Sequence, residues 1–308
     1  MPDPASPHHV PVLLDRVIEA ARSVAGLSRA VDATLGDGGH ADALAALGAR
    51  VLGIDRDPDA IATARRRLGD RIDYLLAAYD SPEALAAVAA VRPGLVLLDL
   101  GVSSRQLDET GRGFTFRPGA PLDMRMGPDG PTAADFLNDE DPGDLERVFA
   151  EYGDERQARR LAREVERRRA RHPFTISDDL VNAIRSVLGP RAGPAEFARL
   201  FQAVRIAVNG ELEGLSRALP AFRDALAPGG RLAVIAYHSG EDRLVKLAFR
   251  EWASACVCPP RQPVCTCRGH SLGAVEPRKP IAPSAEEVAA NPRARSAKLR
   301  IFRVHDAP

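Results

Sequence analysis

The sequence lacks the features of several large classes of protein. No apolar run approaches the roughly 20 residues that a helix needs to cross a bilayer, so we expect no membrane span. The opening stretch MPDPASPHH has neither a basic region nor an apolar core, so it does not resemble a secretory signal and we expect a cytoplasmic protein. The formal net charge is zero, because Lys+Arg and Asp+Glu both total 42. Any affinity for nucleic acid must therefore come from local patches.

Common catalytic signatures are absent as well. There is no P-loop, nucleophile elbow or zincin motif, and no internal repeat. The 308 residues are 45% hydrophobic and 27% charged, which is ordinary for a globular protein and enough for a large core. These values predict one large α/β domain with an insertion, or two domains.

A glycine-rich stretch from Val31 to His40 is the first informative pattern. An apolar run leads into three glycines within four residues, and a helix-prone segment from Ala41 follows. A strand that ends in such a turn and feeds a helix is the nucleotide-binding corner of a doubly wound α/β sheet. The spacing of Gly36, Gly38 and Ala41 also fits the dinucleotide fingerprint. The pattern alone is equally compatible with a tight connection that binds nothing.

Polar side chains follow the next predicted strands. Asp55 ends the second strand close to the spacing of about 20 residues at which an acid meets ribose hydroxyls. Tyr79 follows the third strand, where it would pack against an adenine ring or close the core, and Asp99 ends the fourth. Two carboxylates suit a ligand with a cationic centre and suit a pyrophosphate poorly. The residues therefore favour S-adenosylmethionine over NAD.

The alternation of strands and helices stops after Leu100. A long loop rich in Gly, Pro and Asp is followed by helical segments, which predicts an inserted helical domain for substrate recognition at 106–195. The doubly wound, mostly parallel sheet would then be built from 1–105 and 196–308. One predicted helix of the insertion, Glu155 to Arg171, carries eight arginines, which indicates either a phosphate-facing patch or a solvated surface. The apolar spacing further on predicts one long helix from Glu196 to Leu219.

All four cysteines lie within one short segment: Cys256, Cys258, Cys265 and Cys267. Clustered thiols in a reducing compartment more often bind metal than form disulfides. The C-x-C pairs differ, however, from the usual C-x2-C knuckle. Structural zinc and free thiols both remain open, and no catalytic metal is predicted.

Several motifs taken together carry a family resemblance that spans nearly the whole chain. They are His9–Leu14, Asp32–His40, Leu98–Asp108, Pro121–Met126, Phe201–Leu212 and Asn291–Ser296. The chain resembles the MraW/RsmH methyltransferases. The resemblance implies a class I (Rossmann-like) methyltransferase domain interrupted by a helical domain. It also implies methyl transfer from S-adenosylmethionine to N4 of a cytidine in small-subunit ribosomal RNA, with that RNA or the small ribosomal subunit as partner.

The resemblance further implies a set of cofactor-binding residues: Gly38, Gly39, His40, Asp55, Tyr79, Asp99 and Gln106. Tyr79 stands where relatives often have Phe, and Gly240 stands where Leu is commoner. The polar-Pro-Pro-aromatic tetrad of many amino-methyltransferases is replaced by Asp99–Val102, so the residue that polarises the amine is not identified. Our candidates for this role are Asp123, Asn209 and His238, and our candidates for phosphate contacts are Arg125 and Arg205.

Two other functions and two assembly states stay open at this point. An NAD-dependent oxidoreductase would use the same glycine turn, and a non-catalytic RNA-binding protein would use the arginines. His238 also has a structural interpretation, since a histidine at a strand end is commonly just hydrogen-bonded. The sequence does not distinguish a monomer from a homodimer.

Overall fold

The computed structural model of the protein describes residues 11–259, 262 and 264–306. His9 and Val10, which open the first motif of the family resemblance, lie outside the described residues. The chain divides into two compact units. The first combines Met1–Gly101 with Leu212–Pro308, and the second is Val102–Glu211.

The first unit contains a seven-stranded sheet in the order β3-β2-β1-β4-β5-β7-β6. β1 to β5 pair in parallel, and β7 runs antiparallel to both its neighbours. This confirms the predicted doubly wound, mostly parallel α/β fold. The strands are β1 (Arg29–Asp32), β2 (Arg50–Asp55), β3 (Asp73–Leu76), β4 (Leu95–Asp99), β5 (Arg231–Ala236), β6 (Gly273–Val275) and β7 (Lys298–Val304).

Helices cover the sheet and build most of the second unit. In chain order the described α-helices are α1 (Leu14–Arg22), α2 (Gly39–Ala46), α3 (Pro58–Leu68), α4 (Pro82–Val91), α5 (Ser104–Asp108), α6 (Ala133–Asp139), α7 (Pro142–Glu151), α8 (Ala158–Arg169), α9 (Ser177–Leu188), α10 (Pro194–Asn209), α11 (Glu211–Ala225), α12 (Ser239–Ala253) and α13 (Ala285–Ala290). A search of the described residues finds no helix with the length and apolar character to cross a membrane.

The central strand β4 shows why the sheet forms. Its first four residues are all apolar and fully buried. Leu95 and Leu97 join one hydrophobic cluster, while Val96 and Leu98 join another, because successive side chains point to opposite faces. A continuous apolar run is what a parallel strand covered on both faces requires. The sheet therefore leaves its strand ends, rather than its faces, available for ligands.

The second unit is helical and has its own core. The apolar side of the arginine-rich helix α8 is buried there, with Leu161 and Val165 fully enclosed. α10 adds Phe197, Leu200 and Val204 to the same core. For this reason the compact unit continues to Glu211, whereas the insertion was predicted to end at 195. That the two units are separate domains stays a prediction.

The prediction of one helix from Glu196 to Leu219 is wrong. α10 ends at Asn209, because Gly210 adopts a left-handed conformation with φ 59° and closes the helix; α11 then begins at Glu211. The apolar spacing continues across this break, so periodicity alone gave no sign of it.

Candidate functional site

The carboxyl ends of the parallel strands bring three acidic side chains to one edge of the sheet. Asp32 ends β1, Asp55 ends β2 and Asp99 ends β4. β1 lies between β2 and β4, so the three acids belong to adjacent strands. Open α/β sheets bind their ligands at this edge.

A glycine loop connects β1 to α2 at the same edge. Gly36 and Gly38 have φ values of 52° and 79°, which side chains with a Cβ rarely adopt. Gly39 is needed for a different reason, since a Cβ there would lie 2.3 Å from Cγ of Pro11. A Cβ on Gly36 would meet no atom of the described residues within 4 Å, so the loop faces open space at that point. The predicted strand–glycine turn–helix corner is confirmed.

Asp55 holds the glycine loop in place. The amide of Gly36 donates a hydrogen bond to its Oδ2 at 2.8 Å, and the amide of Asp57 donates to Oδ1 at 2.9 Å. A carboxylate oxygen accepts more than one hydrogen bond, so these contacts are compatible with a ribose contact at the same side chain. The ribose role of Asp55 stays a prediction.

Asp99 lies among polar partners. The hydroxyl of Tyr237 donates to its Oδ1 at 2.8 Å, its Oδ2 is 3.7 Å from Nδ1 of His40, and its amide donates to Oγ1 of Thr34 at 2.6 Å. Burial raises the pKa of Asp99 to about 7, against the opposing effect of the Tyr237 hydrogen bond. Sequence reasoning missed Tyr237, because this residue continues the apolar run of β5 and carries no local signal of its own.

Asp32 is a second residue that sequence reasoning did not single out. Its carboxylate is almost completely buried, and no hydrogen-bond donor among the described residues reaches Oδ2. Burial raises the pKa of Asp32 to about 6, and the nearby charges of Asp99 and Asp55 act in the same direction. A buried polar atom without a partner commonly marks the place of a missing donor, such as a ligand or water.

His40 is buried beside these acids as a neutral ring. Its Nε2 lies 3.0 Å from the carbonyl oxygen of Val12, which assigns the proton to Nε2. Burial is the largest influence on this ring and lowers the pKa of His40. Tyr79 follows β3 and is half-buried against the second hydrophobic cluster. Among the predicted cofactor residues, the structure thus places those of the first unit along one sheet edge.

These residues fit S-adenosylmethionine. Three carboxylates give the edge negative potential, which matches a ligand with a positive sulfur and a positive amine. The unpartnered Oδ2 of Asp32 offers an acceptor to such a ligand, and the glycine loop has open space at Gly36. Cofactor roles for the individual residues stay predictions.

His238 caps α12 directly after β5. Its Nδ1 accepts the amide of Glu241 at 3.4 Å. Its Nε2 is 3.2 Å from Oε1 of Glu241 but makes no hydrogen bond among the described residues. Gly240 lies in the first turn of α12, where a Cβ would be 3.1 Å from Cε1 of His238. The small residue at this position therefore leaves room for the His238 ring.

In the second unit, Asp123 and Arg125 pair with each other. Nε and Nη2 of Arg125 donate to the two carboxylate oxygens of Asp123 at 2.9 and 2.8 Å. The arginine holds the pKa of Asp123 below its usual value, so this carboxylate is a weak base. Arg205 is similarly paired with Glu211 through two hydrogen bonds of 2.8 and 2.9 Å. Both arginines would have to share their charge with a phosphate.

Asn209 and Gln106 hold the loop around Met124–Met126. Oδ1 of Asn209 accepts the amide of Met126, and its Nδ2 donates to the carbonyl of Met124, both at 2.8 Å. Nε2 of Gln106 donates to the carbonyl of Met126 at 3.4 Å, while its Oε1 accepts the amide of Ser103 at 3.0 Å. These contacts hold the loop in place, and the cofactor role of Gln106 and the catalytic role of Asn209 stay predictions.

Some of the arginines of α8 donate hydrogen bonds to other groups of the second unit. Glu164 accepts hydrogen bonds from Arg167 and Arg168, which lower the pKa of Glu164 to about 2. Arg169 donates to the carbonyls of Leu137 and Glu140. A phosphate-facing role for this helix stays a prediction.

Comparison with known proteins identifies the family. The MraW methylase family matches residues 6–305. The chain is 55% identical over 302 residues to the ribosomal RNA small subunit methyltransferase H of Gemmatimonas aurantiaca, which covers 96% of this chain and 95% of the relative. It is 46% identical over 307 residues to the protein of that name in Heliobacterium mobile, which covers 96% of this chain and 98% of the relative. Among solved structures, it is similar to an rRNA methylase from Streptococcus thermophilus, with 12% identity, a TM-score of 0.42 and 95% of both chains covered. The chain belongs to the MraW methylase family.

Proposed function

We propose that this protein transfers a methyl group from S-adenosylmethionine to the N4 amine of a cytidine in small-subunit ribosomal RNA. The single structural observation that carries this proposal is the convergence of Asp32, Asp55 and Asp99 around the glycine loop. Family membership and the names of the relatives agree with it. The substrate would be either the free RNA or the assembled small subunit, and both would place the protein in the cytoplasm. The protein would act as a monomer or a homodimer.

The electrostatics of the site separate this function from its alternatives. A positive ligand is favoured beside three carboxylates, whereas the pyrophosphate of NAD would bring like charges together. The NAD-dependent oxidoreductase is therefore not supported. A non-catalytic RNA-binding protein has no need for acids at the carboxyl ends of the strands, and the relatives are named as methyltransferases.

Bound S-adenosylmethionine would supply a methyl group activated by its positive sulfur. The residues that would hold it are those of the glycine loop, with Asp55 at the ribose, Tyr79 at the adenine and Asp99 beside the positive end. Transfer in a line from sulfur to nitrogen depends above all on placing the two partners. The glycine loop, which Asp55 holds in place, and the buried Asp99 would serve this purpose. A target base that is stacked in the RNA would have to be flipped out.

The amine loses one proton as it gains the methyl group, so the site needs a proton acceptor. Of our three candidates, His238 is the one that lies at the carboxyl ends of the strands. Its Nδ1 accepts the Glu241 amide, so the neutral ring carries its proton on Nε2 and would have to release that proton before Nε2 could accept one. His238 follows β5, whose Ile235 pairs with Asp99 of β4, so it lies at the same edge as the predicted cofactor site. Asp123 is held by Arg125, and the Asn209 amide is engaged by the loop. For these two we therefore favour positioning.

The decisive experiment is mass spectrometry of ribosomal RNA from cells with and without the gene. We expect one N4-methylated cytidine of the small-subunit RNA to lose its methyl group in the deletion strain and to regain it when the wild-type gene is returned. Return of a gene carrying Asp99→Asn is the control for catalysis. An unchanged methylation pattern would overturn the proposal. Calorimetry with S-adenosylmethionine and with NAD separates the two cofactors directly.

The affinity for S-adenosylmethionine should rise with pH. Asp32 and Asp99 have pKa values of about 6 and about 7, so both are largely neutral at low pH and become ionised as the pH increases. A positive ligand prefers the ionised forms. The same pKa values affect the stability of the ligand-free fold, because ionising a buried carboxylate costs free energy. The contribution of both groups to stability is fully present below the pKa of an unfolded aspartate, which is near 4, and is lost as the pH rises through about 6 to 7.

Calorimetry from about pH 5.5 to about pH 8.5 measures this dependence. The Asp99→Asn variant, which cannot ionise at this position, should show a flatter profile than the wild type. A wild-type affinity that is constant over this range would contradict the assignment.

A further inference from the structure

The cysteine cluster lies in a loop that the function described above does not use. This loop connects α12 to β6, and its described residues from 254 to 272 form neither helix nor strand. It is longer than the roughly 12 to 15 residues at which loops without secondary structure become uncommon. It also contains every cysteine of the chain: Cys256, Cys258, Cys265 and Cys267.

The four sulfur atoms converge on one centre. Sγ of Cys265 lies 3.8 Å from that of Cys256 and 3.9 Å from that of Cys258. It lies 3.4 Å from Sγ of Cys267, and all four atoms are within 4.8 Å of one another. A tetrahedron of thiolates with zinc–sulfur bonds of about 2.3 Å has edges of about 3.8 Å. One sulfur close to three others is the arrangement of a tetrahedron, whereas two disulfides would form two separate pairs.

Neither core packing nor disulfide bonding explains this convergence. Cys256 and Cys265 are exposed, and all four are free thiols. Val257 and Val264 are exposed as well, so the loop has little apolar surface to bury at this point. Bringing four flexible side chains together costs conformational entropy, and a metal ion is the partner that compensates for it.

Hydrogen bonds support the cluster from outside. The amide of Val257 points at Sγ of Cys267 at 3.4 Å, the kind of contact that stabilises a metal-bound thiolate. Arg268 ties the loop to the end of α12, because its guanidinium donates to the carbonyls of Glu251 and Ser254. Its Nε also donates to the carbonyl of His270 at 2.9 Å. The cysteines are therefore held by a framework that the helix itself anchors.

We propose that the cysteine cluster binds one zinc ion as a structural site that fastens this loop between α12 and β6. Four sulfur ligands in a tetrahedron select zinc or iron among the common metals. Four protein ligands also leave no open position for water or substrate, so the ion has a structural role. Thiol protons are released to solvent as the four sulfurs bind the ion.

The metal content of the full-length protein tests this proposal. Protein purified under reducing conditions should contain about one zinc ion per chain by inductively coupled plasma mass spectrometry. The double variant Cys258→Ser/Cys265→Ser should contain almost none. Thr266→Ser, which changes the residue between two of the cysteines, is the matched control and should retain the ion.

A second measurement avoids dependence on the folding of the variants. Wild-type protein stripped with a chelator should take up cobalt under anaerobic conditions and show the visible absorption bands of a tetrahedral thiolate site. Its loop should also be cut faster by a protease after stripping and be protected again after zinc is returned. A wild-type chain that takes up no zinc or cobalt, a double variant that keeps its metal, or iron in place of zinc would overturn the proposal.

Discussion

Replacing Asp99 with asparagine should lower the affinity for S-adenosylmethionine by about 10- to 100-fold and reduce methyl transfer at least as much. A hydrogen bond to a charged group contributes about 1.5–3 kcal/mol, which corresponds to that range of affinity. Asparagine keeps the size of the side chain, so the fold should survive. Its amide, however, has no charge to offer a positive ligand. The amide oxygen can still accept the Tyr237 hydroxyl, so the NH2 group replaces the other carboxylate oxygen, which lies beside His40.

Calorimetry and a methyl-transfer assay on small-subunit RNA check this expectation. Asp224→Asn is the matched control, because Asp224 is an exposed carboxylate that precedes the beginning of β5 rather than following its end. It should leave both measurements unchanged. If Asp99→Asn, or the harsher Asp99→Ala, kept both cofactor affinity and methyl transfer, the assignment of the cofactor site to this edge of the sheet would be wrong.

The parts of the site that could be predicted are those with a local signal. Gly36 and Gly38 require positive φ, and they follow a buried strand, so the sequence alone places the turn. Asp55 and Asp99 could be found because each ends an apolar run, and parallel pairing then brings them to one edge. Local patterns are sufficient wherever neighbours in the chain decide the conformation.

The residues that were missed depend on distant contacts. Asp32 was seen only as part of a motif, because its unpartnered oxygen follows from burial by the whole sheet. Tyr237 matters through Asp99, which is far away in the chain and reaches it only because β4 and β5 pair. The cysteine spacing left zinc and free thiols open, since sulfur positions depend on how the loop folds.

The role of Asn209 also depends on a contact between distant parts of the chain, because this residue connects two motifs of the family resemblance. Its motif and the one at Pro121–Met126 are separated by most of the second unit, yet the Asn209 amide joins them through Met124 and Met126. The break at Gly210, which was also missed, places Asn209 as the last residue of α10. The side chain is therefore held at a helix end, where it bonds the loop and the carbonyl of Arg205 together.

The Asn209→Asp variant should consequently be more damaging than Asn209→Ala. Alanine removes the hydrogen bonds to the loop and leaves backbone groups unsatisfied, at about 1–3 kcal/mol. Aspartate adds repulsion, because its second oxygen would face the carbonyls of Met124 and Arg205 in place of a donor. If the loop positions the substrate, a shift of about 1 Å lowers methyl transfer roughly 100-fold.

Thermal unfolding and steady-state kinetics together distinguish positioning from catalysis. A positioning role predicts that both variants bind S-adenosylmethionine normally, that the aspartate variant has the lower unfolding temperature, and that its methyl transfer is also the slower. Asn182→Asp is the matched control, since Asn182 is an exposed asparagine on α9 whose side chain makes no hydrogen bond among the described residues. It should match the wild type in every measurement. A catalytic role for the side chain at position 209 predicts the reverse order, because aspartate keeps an oxygen that can contact the amine, whereas alanine has none. Faster methyl transfer by Asn209→Asp than by Asn209→Ala would therefore refute the positioning role.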